Sequence, residues 1–262
     1  MSMIAFERYE IILDLCRKSG RVTINDLLEA TGCSISTLRR DINHLIGRGE
    51  LRKFRGGVSI VQQPQLSGAT QYQQRAKIYY PEKEAIGKAA QEFIHDGDIL
   101  VLLYGTTTIQ VVKHIDPRKN VTLITNGIDI IFECRDKPNI KVIALGGIVD
   151  YSNNCIEGPT VLKMLKEFNP SKVILGAGGI TEEKGITNYE FLGGTYVSEI
   201  VKQFNKIIVV ADHSKFGRNV LTNVMPFKAV TVFITDSGLP RKYINVFNEY
   251  SISYRIAEVS RQ

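Results

Sequence analysis

The chain has 262 residues, 44% of them apolar and 23% charged, with a formal net charge of +6. That length suits one large domain or a small domain followed by a medium one. No apolar run approaches the roughly 18–20 residues needed to span a bilayer. An acidic residue, Glu7, interrupts the opening segment and no small-residue cleavage site follows, so no secretory signal is read and a cytoplasmic location is expected. The four cysteines, Cys16, Cys33, Cys134 and Cys155, contain no C-x-x-C pair. They are read as buried or incidental thiols, with neither a zinc site nor a disulfide framework indicated, and no cofactor is expected.

Residues 1–60 read as one small unit. Phe6, Tyr9, Ile12, Leu13 and Cys16 recur at helical spacing, and Gly20 ends that helix. Thr23 and Asp26 have the spacing of a capping box opening a second helix, which runs to about Thr31. Gly32-Cys33 makes a tight turn, Ser34 caps a third helix running to about Arg48, and Gly49 to Val58 reads as a short hairpin. Residues 61–76 are polar, Gln-rich and broken by Pro64 and Gly68, without an apolar period, and are read as a linker. Residues 77–262 form the second domain. A helix starts near Glu82, with Pro81 at its entry, and runs to about His95. Short apolar runs then alternate with helical stretches: Ile99 to Tyr104, Val121 to Thr125, Val142 to Leu145, Val173 to Leu175, Ile207 to Ala211 and Val230 to Thr235. Unbroken apolar strands separated by helices predict a mainly parallel sheet covered on both faces, with ligands beyond the carboxyl ends of its strands.

On the third helix, Ile35, Leu38, Ile42 and Leu45 share one face, expected to pack inward. Ser36, Thr37, Arg40, Asn43 and His44 share the other, flanked by Arg39. Between Cys33 and Ile60 there are six basic residues against two acidic ones, which suits a polyanionic partner. Short hydroxyls and arginines near a helix N-terminus are what phosphate contact and base-edge reading require. Two alternatives stand beside that reading: Ser34 as a simple helix cap, and Arg39 as the partner of Asp41 or Glu29.

The run Ser34-x-x-Thr37-Leu38-Arg39-Arg40-Asp41-Ile42-x-x-Leu45, followed by Phe54-Arg55-Gly56-Gly57-Val58, resembles the signature of the DeoR family of bacterial regulators. The resemblance implies a winged helix-turn-helix, mostly α with a β-hairpin wing, in which Ser34, Ser36, Thr37, Arg39 and Arg40 contact operator DNA and Arg55 lies in the wing.

In the second domain, Gly105-Thr106-Thr107-Thr108 sits at a strand end, where backbone N–H groups and hydroxyls can surround a phosphate. Thr125-Asn126-Gly127, Leu145-Gly146-Gly147 and Leu175-Gly176-Ala177-Gly178-Gly179 are further glycine-bearing strand ends that favour a shared pocket. Lys215, just past another strand, is placed to neutralise an anion. His213 is read as an ordinary surface or turn histidine. These pieces also resemble the DeoR family, in order and spacing, so that the likeness runs from about Phe6 to Asp236. It implies an α/β sensor domain similar to ribose-5-phosphate isomerases and CoA transferases, and a sugar-phosphate effector held by Gly105, Thr106, Thr107 and Thr108, with Thr125, Asn126, Gly147 and Lys215 nearby. A homo-oligomer is expected, because two-fold symmetry matches repeated operator half-sites.

The competing reading is a sugar-phosphate isomerase with an accessory DNA-binding-like domain. Aldose–ketose isomerisation needs a carboxylate base. The isomerases resembled here carry Asp-Gly-Ala-Asp-Glu where this chain has Leu175-Gly176-Ala177-Gly178-Gly179. The glycine frame is present and every acid is absent, which favours a binding domain over an enzyme.

Overall fold

The computed structural model describes residues 5–47, 51–54, 56–60 and 69–259. The chain forms two compact units, Met1–Leu66 and Ser67–Gln262.

In the first unit the order is α1 (Ala5–Ser19), β1 (Arg21–Thr23), α2 (Ile24–Thr31), α3 (Ile35–Gly47), β2 (Leu51–Phe54) and β3 (Gly57–Ile60). Ile12, Leu13 and Cys16 of α1 bury against Leu27, Leu38, Ile42 and Leu45. The Thr23–Asp26 capping box forms as expected: the Asp26 amide donates to Thr23 Oγ1 at 3.3 Å, and the Thr23 amide donates to Asp26 Oδ2 at 3.1 Å. Gly32 closes α2 in the left-handed region at φ 60°, a conformation that costs glycine nothing. The wing is a three-stranded antiparallel sheet in the order β1-β3-β2, so the expected hairpin gains a third strand from Arg21–Thr23. One inward assignment on α3 is corrected. Ile35 is 49% exposed, because it begins the helix and Leu38, one turn on, is the first side chain to reach the core. The buried face instead includes Asp41, which accepts from Arg8 Nε at 2.6 Å and from a second guanidinium nitrogen at 3.2 Å.

The second unit opens with α4 (Ala69–Lys77) and α5 (Tyr80–Ala89). Residues 69–76, read from the sequence as the second half of a linker, are therefore helical, while residues 61–68 lie outside the described residues. The helix has no apolar stripe to announce it. It is held by the Tyr72 hydroxyl, which donates to Asp129, and by Arg75, which donates to Asn153 Oδ1 at 2.8 Å.

From there the chain alternates: β4 (Ile99–Leu102), α6 (Thr108–Lys113), β5 (Val121–Thr125), α7 (Ile128–Glu133) and β6 (Ile140–Ala144). A hairpin of β7 (Ile148–Asp150) and β8 (Cys155–Glu157) follows, then α8 (Pro159–Leu165) and β9 (Lys172–Leu175). Next come β10 (Gly179–Thr181), β11 (Gly185–Asn188), α9 (Phe191–Val201), β12 (Ile207–Val210), β13 (Thr222–Met225), β14 (Val232–Asp236), α10 (Lys242–Glu249) and β15 (Ser253–Ala257). Seven strands form one parallel sheet in the order β15-β14-β12-β9-β4-β5-β6. Alternate residues feed two cores, as the pleat dictates. Val101, Val173, Val209 and Phe233 join the aromatic side with Phe227 and Phe247, while Leu100, Leu102, Ile174, Ile208 and Ile234 join the opposite side with Ile86 and Val111. The small antiparallel sheet β10-β11-β13 and the β7–β8 hairpin have strands of three or four residues, too short for an alternation pattern to declare itself.

A buried ion pair pins β9 to the turn before β4. Lys172, 3% exposed, donates to Asp98 Oδ2 at 2.5 Å and to the Phe93 carbonyl at 3.0 Å. Burial pushes the Asp98 carboxyl up, but hydrogen bonds from Lys172 and the His95 amide outweigh it and hold the group below the usual range. A carboxylate depressed in the native state contributes stability that is present above its unfolded pKa of about 4 and is lost as pH falls through the native value. Asp98→Asn should therefore cost about 3 kcal/mol at neutral pH, by stranding Lys172. It should also flatten part of the decline in stability below about pH 4, read by urea denaturation across a pH series.

Candidate functional site

In the first unit, Ser36, Arg39, Arg40, Asn43 and His44 of α3 are exposed and Thr37 is half-buried. Ser34 acts as the helix cap: its Oγ accepts from the Thr37 amide at 3.2 Å and lies 2.9 Å from the hydroxyls of both Ser36 and Thr37. Asp41 is occupied by Arg8, so it is not the partner of Arg39. Among the described residues neither Arg39 nor Arg40 forms an ion pair. Lys53 of β2 donates to Asn43 Oδ1 at 2.8 Å and so ties the wing to α3. Arg52 donates to Ser59 Oγ at 3.1 Å across the hairpin. The face therefore presents two unpaired guanidinium groups beside a hydroxyl cluster. Arg55 lies outside the described residues.

In the second unit, strand order locates the other site. From β4 the chain moves outward through β5 and β6, then returns to β9 on the opposite side of β4 and moves outward through β12, β14 and β15. The connections after β4 and β9 thus diverge, which leaves a crevice at their carboxyl ends. A pocket of about 90 Å³ lies there, several times the roughly 10–15 Å³ that one water requires. Gly105, Thr106 and Thr107 follow β4 into its wall, Gly176, Ala177 and Gly178 follow β9, and Lys215 arrives from the turn after β12. The Thr106 and Thr107 hydroxyls make no hydrogen bond among the described residues. Tyr72 and Arg75 of α4, Tyr104, Asn153, Asn188 and Tyr189 complete the polar wall, and among the described residues no Asp or Glu lines it. The Arg75 guanidinium lies over the rings of Tyr72 and Tyr189, 5.9 and 5.4 Å from their centroids.

Four of the residues anticipated for this site serve its frame instead. Thr108, fully buried, donates to the Gly105 carbonyl at 3.0 Å and closes the turn. Thr125 donates to the Leu102 carbonyl at 2.7 Å and accepts from the Gly127 amide at 3.0 Å. Asn126 accepts from the Tyr104 amide at 3.1 Å and donates to the Ile156 carbonyl at 2.9 Å. Gly147 is needed for packing, since a Cβ there would stand 2.5 Å from the Glu157 carbonyl oxygen. For Thr125, Asn126 and Gly147 the reason is topological: β5 and β6 lie beyond β4, on the side away from β9. The residues that sequence reasoning missed, Tyr72, Arg75, Asn153, Asn188 and Tyr189, come from α4, the β7–β8 loop and β11 with its following turn, segments carrying no linear motif.

Behind Lys215 lies a group of buried charges. Asp212 is fully buried, and its carboxyl accepts from the Ser214 amide at 3.1 Å. Burial pushes it up, but Lys215, Lys83 and the neighbouring His213 outweigh that and hold it below the ordinary carboxylate range. Lys83, 2% exposed, donates to the Arg75 carbonyl. Burial brings its pKa down to about 8 against the pull of Asp212, with Lys215 and Arg75 adding to the downward push. His213 is not a surface residue: it is buried with Nδ1 2.7 Å from Asp236 Oδ2, and its ring meets the edge of Tyr79 at 4.8 Å.

Comparison with known proteins matches both units. Residues 8–64 match the DeoR-like helix-turn-helix domain, and residues 79–237 match the DeoR C terminal sensor domain. The HTH-type transcriptional regulator IolR of Bacillus subtilis is 32% identical over 238 residues, covering 91% of this chain and 94% of its own. The transcriptional repressor AccR of Agrobacterium fabrum is 33% identical, covering 88% and 90%, and the glycerol-3-phosphate regulon repressor of Escherichia coli is 26% identical, covering 95% and 98%. Among solved structures, ribose 5-phosphate isomerase A of Neisseria gonorrhoeae aligns over 51% of this chain and 52% of its own, with a TM-score of 0.37 and 15% identity. Two adjoining domain matches and whole-length relatives agree with the helix face and the sheet just described: the chain belongs to the DeoR family of transcriptional regulators.

Proposed function

We propose that this regulator represses a carbohydrate-utilisation operon and releases its operator according to the occupancy of the pocket at the ends of β4 and β9, with a phosphorylated sugar as the effector. The observation that carries the sensing half is the composition of the pocket wall. Among the described residues it holds two cations, Arg75 and Lys215, the hydroxyls of Thr106 and Thr107 and the glycine turns, and no carboxylate. Such a wall suits a dianion and lacks the base that isomerisation needs, which supports a binding role over the isomerase reading. The relatives support the DNA half: one is named for a glycerol-3-phosphate regulon, and another is a transcriptional repressor. On this reading Arg39, Arg40 and Ser36 meet the duplex, with Ser34 and Thr37 at the helix N-terminus. The regulator acts as a homo-oligomer, and the strongly exposed Ile148, Tyr151, Phe191 and Leu192 support self-association.

Two measurements test the two halves separately. Arg40→Ala should weaken binding to the region upstream of the protein's own operon by about 1–3 kcal/mol, roughly 5- to 150-fold, read by fluorescence anisotropy. Its slope against salt should be shallower than that of the unaltered protein. Unchanged affinity would reject α3 as the reading helix. A thermal-shift screen of sugar phosphates should find at least one that raises the melting temperature. Lys215→Ala should lose most of that shift while keeping its affinity for DNA. A screen in which no phosphorylated sugar shifts melting or alters DNA affinity would reject the effector.

A further inference from the structure

The β7–β8 hairpin gathers three groups that sequence order keeps apart. Asp150 and Cys155 are cross-strand partners, and Glu157 lies two residues beyond Cys155 on the same strand. Directly opposed residues share a face of a hairpin, as do residues two apart on one strand. All three side chains therefore converge: one carboxylate oxygen of Asp150, Sγ of Cys155 and one carboxylate oxygen of Glu157 lie within 4.8 Å of one another.

Two further observations point to a missing partner. Cys155 is completely buried and in no disulfide, and its thiol makes no hydrogen bond among the described residues. Glu157 Oε2 is enclosed and also has no hydrogen-bond partner. Two carboxylates brought this close to each other and to a thiol repel one another unless a cation joins them.

We infer that Asp150, Cys155 and Glu157 form a binding site for a thiophilic divalent cation of the zinc class. The thiol decides the class: calcium and magnesium take oxygen ligands, whereas a ligating thiolate selects zinc and its chemical neighbours. Ligand atoms sit about 2.0–2.3 Å from zinc, a spacing that small side-chain rotations reach from the one observed. Three protein ligands leave a fourth position for water. On binding, the Cys155 S–H proton passes to solvent and the sulfur becomes thiolate. Asn153 supplies the orienting shell: its amide nitrogen donates to Asp150 Oδ2 at 2.8 Å and to Glu190 Oε1 at 2.5 Å. Its oxygen accepts from Arg75, so the cation site adjoins the anion pocket through one side chain.

The test uses the full chain, stripped with chelator, kept reduced and titrated with Co²⁺ alone. A near-ultraviolet thiolate-to-cobalt absorption band should saturate at one equivalent and disappear on adding Zn²⁺. It should be lost in Cys155→Ser and retained in Cys33→Ser. Glu157→Gln, whose amide keeps the shape, should weaken Co²⁺ binding at least about tenfold. It should also abolish any Zn²⁺-induced rise in melting temperature, a readout that holds even if Cys155→Ser fails to fold. No band in the unaltered protein, a band that persists in Cys155→Ser, or binding indifferent to Glu157→Gln would each overturn the assignment.

Discussion

The arrangement of the larger unit depends on one constraint, the reversal of strand order at β4. Parallel strands need crossovers, and a chain that fills one side of a starting strand and then the other leaves divergent connections at the junction. Backbone turns after β4 and β9 face each other across the crevice because the hydrogen-bond register between those strands places Leu102 beside Ile174. Everything polar in the wall is brought to that gap: Lys215 by the turn after β12, Arg75 by α4, and Asn153 by a hairpin loop. Without the reversal the same motifs would sit on one flat sheet edge.

Buried charge is paired in both units. Burying Lys83 and Asp212 would be costly if either stood alone. Here Asp212 is held by both Lys83 and Lys215, behind a wall that has no acid among the described residues. The same economy appears in the smaller unit, where Asp41 is buried only because Arg8 reaches it with a forked contact. Arg39 and Arg40 meanwhile face outward.

Much of this was legible in the linear sequence, for identifiable reasons. The Thr23–Asp26 box and Gly32 are local devices that act within one turn, and strands such as Ile207–Val210 are apolar throughout because both their faces are covered. What could not be read depends on contacts distant along the chain. Helix α4 is polar on all sides and owes its place to Asp129 and Asn153, 57 and 78 residues away from their partners. Thr125 and Asn126 looked like ligand groups because a hydroxyl and an amide at a strand end can serve either a ligand or the backbone. Only the strand order shows that the backbone claims them. Asp150, Cys155 and Glu157 have no recognisable metal-site spacing, and their convergence comes from hairpin register.

The glycines around the crevice differ in how much room they leave. At Gly178 a Cβ would stand 2.9 Å from the Thr187 carbonyl oxygen, and at Gly179 it would stand 2.4 Å from that of Arg218. At Gly176 the nearest atom would be 3.9 Å away. Two of these positions are locked by their neighbours, whereas the third can accept a methyl group. On the proposed reading of this pocket, selectivity can drift through Gly176 and through the aromatic rim of Tyr72, Tyr104 and Tyr189, while Arg75 and Lys215 stay as they are. A lineage built on this plan can reshape one wall of the pocket without rebuilding its scaffold.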